Sequence, residues 1–152
     1  DPQRVTAEQA EAWAGDADSW DVCDLLCGNL LDRTPFAYEL ADRWSGREEE
    51  FVKRCGFALM AALAVHDKNA PDTKLARFFH PIEREAGDER NFVKKAVNWA
   101  LRQLGKRSRL LHARALRCAE RIRKQDTRPA RWIASDALRE LNKENTRARI
   151  RK

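Results

Sequence analysis

Apolar positions recur at helical spacing along the whole chain, and no stretch alternates apolar and polar residues as a strand would. Thr6 with Gln9 forms a capping box that opens a short helix through Trp13. Ser19 caps a second helix to about Leu31, with Trp20, Cys23, Leu26, Cys27 and Leu30 at three-and-four spacing. Thr34 followed by Pro35 starts a third, ending near Trp44. Ser45 and Glu48 cap a longer helix to about His66, whose centre from Phe57 to Leu63 is apolar throughout and belongs inside the array. After a turn at Asp67–Asp72, a helix follows from about Thr73 that Pro81 kinks or ends. Further helices span Glu89–Leu104, with Phe92, Ala96, Trp99 and Leu104 inward, then Ser108–Lys124 and Asp126–Leu141. Pro and Gly fall at the breaks, one proline apart. Residues 142–152 read as a polar, basic tail.

This gives about eight helices in antiparallel pairs at a period of about 35–45 residues, as in HEAT-type repeats. The expected fold is all-α: a right-handed α-solenoid of HEAT-like helix pairs with a concave face, forming one domain over residues 1–152. The longest apolar stretch, Gly56 to Val65, is too short to span a bilayer, and the amino end has no basic-then-apolar leader pattern. The expectation is a soluble protein of the bacterial cytosol or nucleoid, with no membrane partner and no sign of an oligomer.

Charge changes the picture. The net charge of +6 hides a split: residues 1–76 carry 8 Lys/Arg against 15 Asp/Glu, a net of −7, and residues 77–152 carry 22 against 9, a net of +13. A segregated basic half points to a polyanionic partner. Of the four cysteines, Cys23 and Cys27 share one helix face, as half a metal site or as small core residues; no histidine stands at ligand spacing, and no metal or cofactor is expected.

Three places carry candidate chemistry. Trp20 and Asp24 stand at i and i+4, with Asp21 beside them. An indole next to a carboxylate suits a cation; alternatively Asp21 caps the helix or pairs with an arginine while Trp20 packs inward. Arg54 enters an otherwise apolar helix, either to pair with an acid or to clamp phosphate or carboxylate. Trp99 is a core residue or, with Lys95, Arg102 and Lys106 at one-turn steps around it, part of a nucleic-acid surface. Arg114, Arg117, Arg121 and Lys124 draw a second basic stripe. The helix starts near Asp88 and Ser108 are candidates for backbone N–H contacts to phosphate.

Four stretches in order, SWDVCD (Ser19–Asp24), EEFVKRCGFALM (Glu49–Met60), ERNFVKKAVNWALRQLGKR (Glu89–Arg107) and RWIASDALREL (Arg131–Leu141), resemble the AlkD-type DNA alkylation-repair glycosylases built from HEAT-like repeats. The resemblance covers nearly the whole chain. It implies hydrolysis of the N-glycosidic bond of N3- or N7-alkylated purines in duplex DNA, without a pocket for a flipped base. It also implies Asp24 as the catalytic carboxylate, Trp20 and Trp99 as aromatics cradling the sugar, and Arg54 as the cleft arginine. Lys95, Arg102, Lys106, Arg107 and Arg109 are the expected contacts to the DNA backbone. Only 19 residues precede the Trp-Asp motif, whereas the family carries further repeats there, so the chain is read as the carboxy-terminal part of a longer fold. The competing reading is a non-catalytic helical array that binds bent, branched or damaged DNA.

Overall fold

A computed structural model describes residues 1–151 and contains only helices among them. They are α1 (Ala7–Asp16), α2 (Trp20–Asn29), α3 (Ala37–Ser45), α4 (Glu50–His66), α5 (Asp72–Ala76), α6 (Phe79–Arg84), α7 (Asn91–Gly105), α8 (Arg109–Lys124), α9 (Arg128–Leu141) and α10 (Glu144–Arg151), with short 3-10 turns at Pro2–Arg4 and Leu31–Arg33. Helices α2, α4, α7 and α9 lie side by side as one row. Helices α3 and α8 back that row, α3 against α4 and α8 against α7 and α9, with α5 and α6 packed on α8. This is the two-layer stack of helix pairs that the pattern predicts. No described helix is long and apolar enough to cross a membrane.

Local chemistry accounts for most boundaries. Thr6 and Gln9 make the reciprocal capping box, Ser108 accepts from the Leu111 N–H, and Thr127 accepts from the Ala130 N–H with Pro129 in the first turn of α9. Other boundaries differ from expectation. Ser45 does not cap α4. It is the buried last residue of α3, and its hydroxyl donates to the Asp42 carbonyl, so α4 starts later, at Glu50. Thr34 closes the preceding 3-10 turn by donating to the Leu31 carbonyl, and α3 starts at Ala37. Pro81 neither ends nor kinks a helix. The chain breaks upstream at Arg77–Phe78, and Pro81 sits in the first turn of α6, where a missing N–H costs no helical bond. Residues 144–151 of the expected tail form α10, which packs on α8 and α9 and buries Thr146.

Glycine is not confined to breaks. Gly56 lies inside α4, at its crossing with α3. A Cβ there would stand 2.6 Å from the Ser45 backbone nitrogen and 2.9 Å from the Trp44 carbonyl carbon. Backbone cannot swing aside as a side chain can, so Gly56 sets how closely the two layers approach. Gly28, inside α2, has nothing within 4 Å of such a Cβ.

These two glycines therefore predict opposite outcomes in thermal or urea unfolding. Gly56→Ala destabilises by roughly 1–3 kcal/mol through overpacking. Gly28→Ala stabilises by about 0.5–1 kcal/mol through lost backbone entropy of the unfolded chain. Equal effects at the two positions would show that the α3–α4 approach is not limited at Gly56.

Candidate functional site

The site grows from one charged side chain in an apolar helix. Residues 52–64 of α4 are all buried, and Lys53 and Arg54 are the only charged residues among them. Arg54 is 6% exposed. A guanidinium so placed must spend its N–H donors on protein acceptors. Its Nε donates to Asp24 Oδ1 at 3.2 Å and its Nη2 to Asp24 Oδ2 at 2.8 Å, while Nη1 donates to the Phe92 carbonyl at 2.7 Å. One side chain thus joins α2, α4 and α7. The two bonds to Asp24 are a fork-to-fork pair, which fixes the plane of the carboxylate as well as its position.

Asp24 remains partly open, its side chain 22% exposed. Beside it Trp20 is 49% exposed and lies under the Arg54 guanidinium, 5.9 Å from ring centroid to Cζ. Of the readings left open for this stretch, Asp21 does cap: it accepts from the Ser19 hydroxyl and the Val22 N–H. Trp20, however, does not pack inward. The buried face of α2 is Cys23 and Cys27, whose thiols donate to the Phe51 and Cys55 carbonyls of α4. Contact with the Cys55 thiol and burial push the Cys23 thiol up from its ordinary value, so it stays protonated. All four cysteines are free and buried. Cys23 and Cys27 act as small residues that let α2 lie close against α4.

The geometry joins Trp20, Asp24 and Arg54 directly. Trp99 follows on α7, seven residues or about 10 Å along the axis beyond Phe92. It was expected inward with Phe92, but both are only partly buried. The core stripe of α7 is Val93, Ala96, Val97, Ala100, Leu101 and Leu104, and Trp99 packs against the edge of that core.

The five cations expected at a DNA backbone divide. Lys106 meets Glu140 at 2.9 Å and Arg102 approaches Asp136 at 3.8 Å. Arg107 donates to the carbonyls of Ala64, Asp67 and Ala70, closing the carboxy-terminal end of α4. Lys95 and Arg109 are exposed and have no carboxylate partner among the described residues. The basic stripe of α8 is in the backing layer, where Arg121 pairs with Glu83 and Arg114 covers Phe79. Ser108 spends its hydroxyl oxygen on capping α8.

Sequence reasoning missed Lys53. Its ammonium is buried and donates to Glu85 and Asp88, each at 2.7 Å. Asp88 also accepts from the backbone N–H and the side chain of Arg90, and Arg90 reaches the Glu48 carbonyl. This cluster fixes the start of α7, and with it the Phe92 carbonyl that holds Arg54. The signal available was a Lys-Arg pair entering an apolar helix; the partners, more than thirty residues away, left no local pattern.

Burial alone would raise Asp88, but hydrogen bonds from Arg90 and Lys53 outweigh it and hold Asp88 well below its ordinary value. Glu85 likewise is raised by burial and lowered by more, through Lys53 and Arg84. A carboxyl lowered on folding stabilises the fold above its unfolded pKa, and that contribution is lost as pH falls through the folded value.

Compared with known proteins, residues 1–141 match the family described as DNA alkylation repair enzyme. No curated protein matches significantly. A solved structure described as a new family of proteins related to the HEAT-like repeat DNA glycosylases, with affinity for branched DNA structures, aligns with a TM-score of 0.75 at 17% identity. The alignment covers 99% of this chain and 66% of that one, so this chain spans about two thirds of that protein's length and shares its fold.

The Lys53 cluster predicts an acid-sensitive fold. Urea unfolding of the wild type loses stability between about pH 5 and pH 2, as the lowered carboxylates take up protons. Lys53→Met is destabilised by on the order of 3 kcal/mol at neutral pH, because it strands buried carboxylates, and its acid limb is shallower. A variant with the wild-type acid limb would remove Lys53 from the network.

Proposed function

The chain belongs to the DNA alkylation repair enzyme family, and on that premise we propose that it is a DNA glycosylase acting on cationic N3- or N7-alkylated purines in duplex DNA. The observation that carries this is the fork-to-fork grip of Arg54 on a carboxylate that stays open to solvent beside an exposed indole. A protein that only bound DNA would need cations at its surface and no oriented acid beside an exposed aromatic.

The reaction follows from the charges. The glycosidic bond breaks, its electron pair goes to the already cationic purine, and the base departs neutral. No general acid is required. The sugar left behind has oxocarbenium character, and water attacks its C1′ and releases a proton to solvent. Asp24 faces that cation with fixed geometry, which is the form of electrostatic help that needs no reorganisation during the reaction. A carboxylate about 4 Å from a unit cation is worth roughly 4 kcal/mol near a protein surface; the Arg54 charge, about twice as far behind, cancels about half of it. The remaining ~2 kcal/mol corresponds to roughly 30-fold in rate. Cation–π contact with Trp20, and with Trp99 further along the face, adds about 0.5–2 kcal/mol. Carboxylate orientation therefore matters more than either indole.

Asp24 and Trp20 are shallow. A sugar-phosphate backbone reaches them at the surface, without the lesion being flipped into a pocket of the kind most base-removing enzymes use. Affinity then comes mainly from phosphate neutralisation and falls steeply with salt.

A second reading is supported by two observations. Arg54 already neutralises Asp24, and the structural relative has affinity for branched DNA. On that reading the chain recognises DNA shape and performs no chemistry.

The readings separate in one assay: release of free base from duplex DNA carrying N7-methylguanine, with EDTA present. The wild type releases base, and Asp24→Asn is slowed at least ~30-fold while its DNA affinity is equal or tighter, since a negative charge near phosphate is gone. Release by neither protein, with tight binding to a four-way junction, would establish the second reading.

A further inference from the structure

The seam between α7 and α9 is built as a ladder. Residues 98, 102 and 106 of α7, one turn apart, face residues 136 and 140 of α9. Asn98 donates to Asp136, which also pairs with Arg139 and which Arg102 approaches at 3.8 Å without hydrogen bonding, and Lys106 pairs with Glu140. The lysines at 106 and 143 share Glu140 and hold it down at about 2 by hydrogen bonding, so the carboxylate of that rung stays ionised between them at any physiological pH. One turn earlier the ladder has a different rung. Lys94 occupies the cation position, but the residue opposite, at 132, is tryptophan. The Lys94 ammonium lies 4.6 Å from the Trp132 ring centroid.

The difference is one of charge. A ring face attracts the ammonium but does not neutralise it, and it leaves N–H donors unspent. Lys94 has no carboxylate within salt-bridge distance among the described residues, and neither do Lys95 or Arg128 nearby. Lys94 and Arg128 line one cleft with Glu89 and Pro129, and Glu89 pairs with neither cation. Trp132 itself is 39% exposed, so this rung presents an apolar flat surface and free positive charge together. A nucleic-acid strand offers the complement of both: phosphate for the ammonium and guanidinium, and the sugar or a base face for the indole.

We infer that the Lys94–Trp132 rung, with Arg128, is a DNA-backbone contact of this protein, and that the lower rungs at Arg102 and Lys106 are internal struts. The inference rests on the DNA-binding reading above and is independent of whether base release occurs. It relocates a phosphate contact from Arg102 and Lys106, two of the three cations that sequence spacing favoured, to one that spacing did not single out. Trp132 acts in two ways: it holds Lys94 in place without consuming its charge, and it offers a face to the strand.

The test is the salt dependence of affinity for an undamaged duplex, which no catalytic event affects. Each phosphate contact contributes about 0.9 to the slope of log K against log salt. Lys94→Ala makes the slope shallower by about one and weakens binding roughly three- to tenfold at ~50 mM salt. Trp132→Glu, which completes the ladder with the carboxylate found on its other rungs, does the same while Lys94 is still present. Arg102→Ala leaves the slope unchanged. A wild-type slope in Lys94→Ala or Trp132→Glu, with the fold intact by thermal melting, would overturn the inference. Absence of duplex binding by the wild type would overturn both this contact and the DNA reading beneath it. The expected slope changes with no base release would leave this contact standing and remove only the glycosylase.

Discussion

A single buried guanidinium holds the site together. Arg54 enters α4 where every buried neighbour but Lys53 is apolar, and burying it without acceptors would cost more than the fold has to spare. It is stable only because Asp24 of α2 and the Phe92 carbonyl of α7 stand at hydrogen-bond distance. The dependence runs both ways. Close packing of α2 on α4, through Cys23 and Cys27, brings Asp24 within reach, and the Lys53–Asp88–Arg90 cluster fixes the first turn of α7. The same contacts that stabilise three adjacent helices also aim one carboxylate outward. Structure and candidate chemistry are therefore not separable at this point, and a change to Arg54 alters both.

Charge works differently at the other end of the row. The carboxy-terminal half has a large positive excess, yet several of its cations are occupied locally: Lys106 by Glu140, Arg121 by Glu83, and Arg107 by three carbonyls. What reaches solvent is a smaller set of cations, selected by which partners the fold supplies. A lysine opposite an indole remains available, whereas a lysine opposite a glutamate is a strut. Net charge thus argues for a polyanionic partner, while the pairing determines where that partner is met.

Helical spacing and capping chemistry made most of the fold legible, because both act within a few residues. Thr6–Gln9 and Ser108 cap as their sequences indicate, whereas the Ser19 hydroxyl donates to Asp21 instead of accepting a backbone N–H. Where the reading failed, a competing local bond decided: Ser45 bonds back into α3, and Pro81 is tolerated in a first turn. The trio Trp20, Asp24 and Arg54 was legible as an acid beside an aromatic and an arginine out of place. Their junction was not, since it spans thirty residues between α2 and α4. The roles of Lys53, Arg102 and Lys106 were hidden for the same reason. The carboxylates that answer them lie about thirty or more residues away, and no periodicity within one helix reports a partner on another. Trp99 was misplaced because an aromatic stripe at helical spacing does not distinguish the centre of a core face from its edge.

On the proposed function, Asp24, held by Arg54, serves a positive charge developing on the sugar. The most direct measurement of that role is the binding of duplexes containing a cationic pyrrolidine in place of one deoxyribose, against duplexes with a neutral tetrahydrofuran there. A site complementary to the transition state binds the cation more tightly. The wild type is expected to prefer the cationic duplex at least ~10-fold, a preference lost in Asp24→Asn with binding of the neutral duplex retained. Equal affinity of the wild type for the two duplexes, or a preference that survives the substitution, would contradict it.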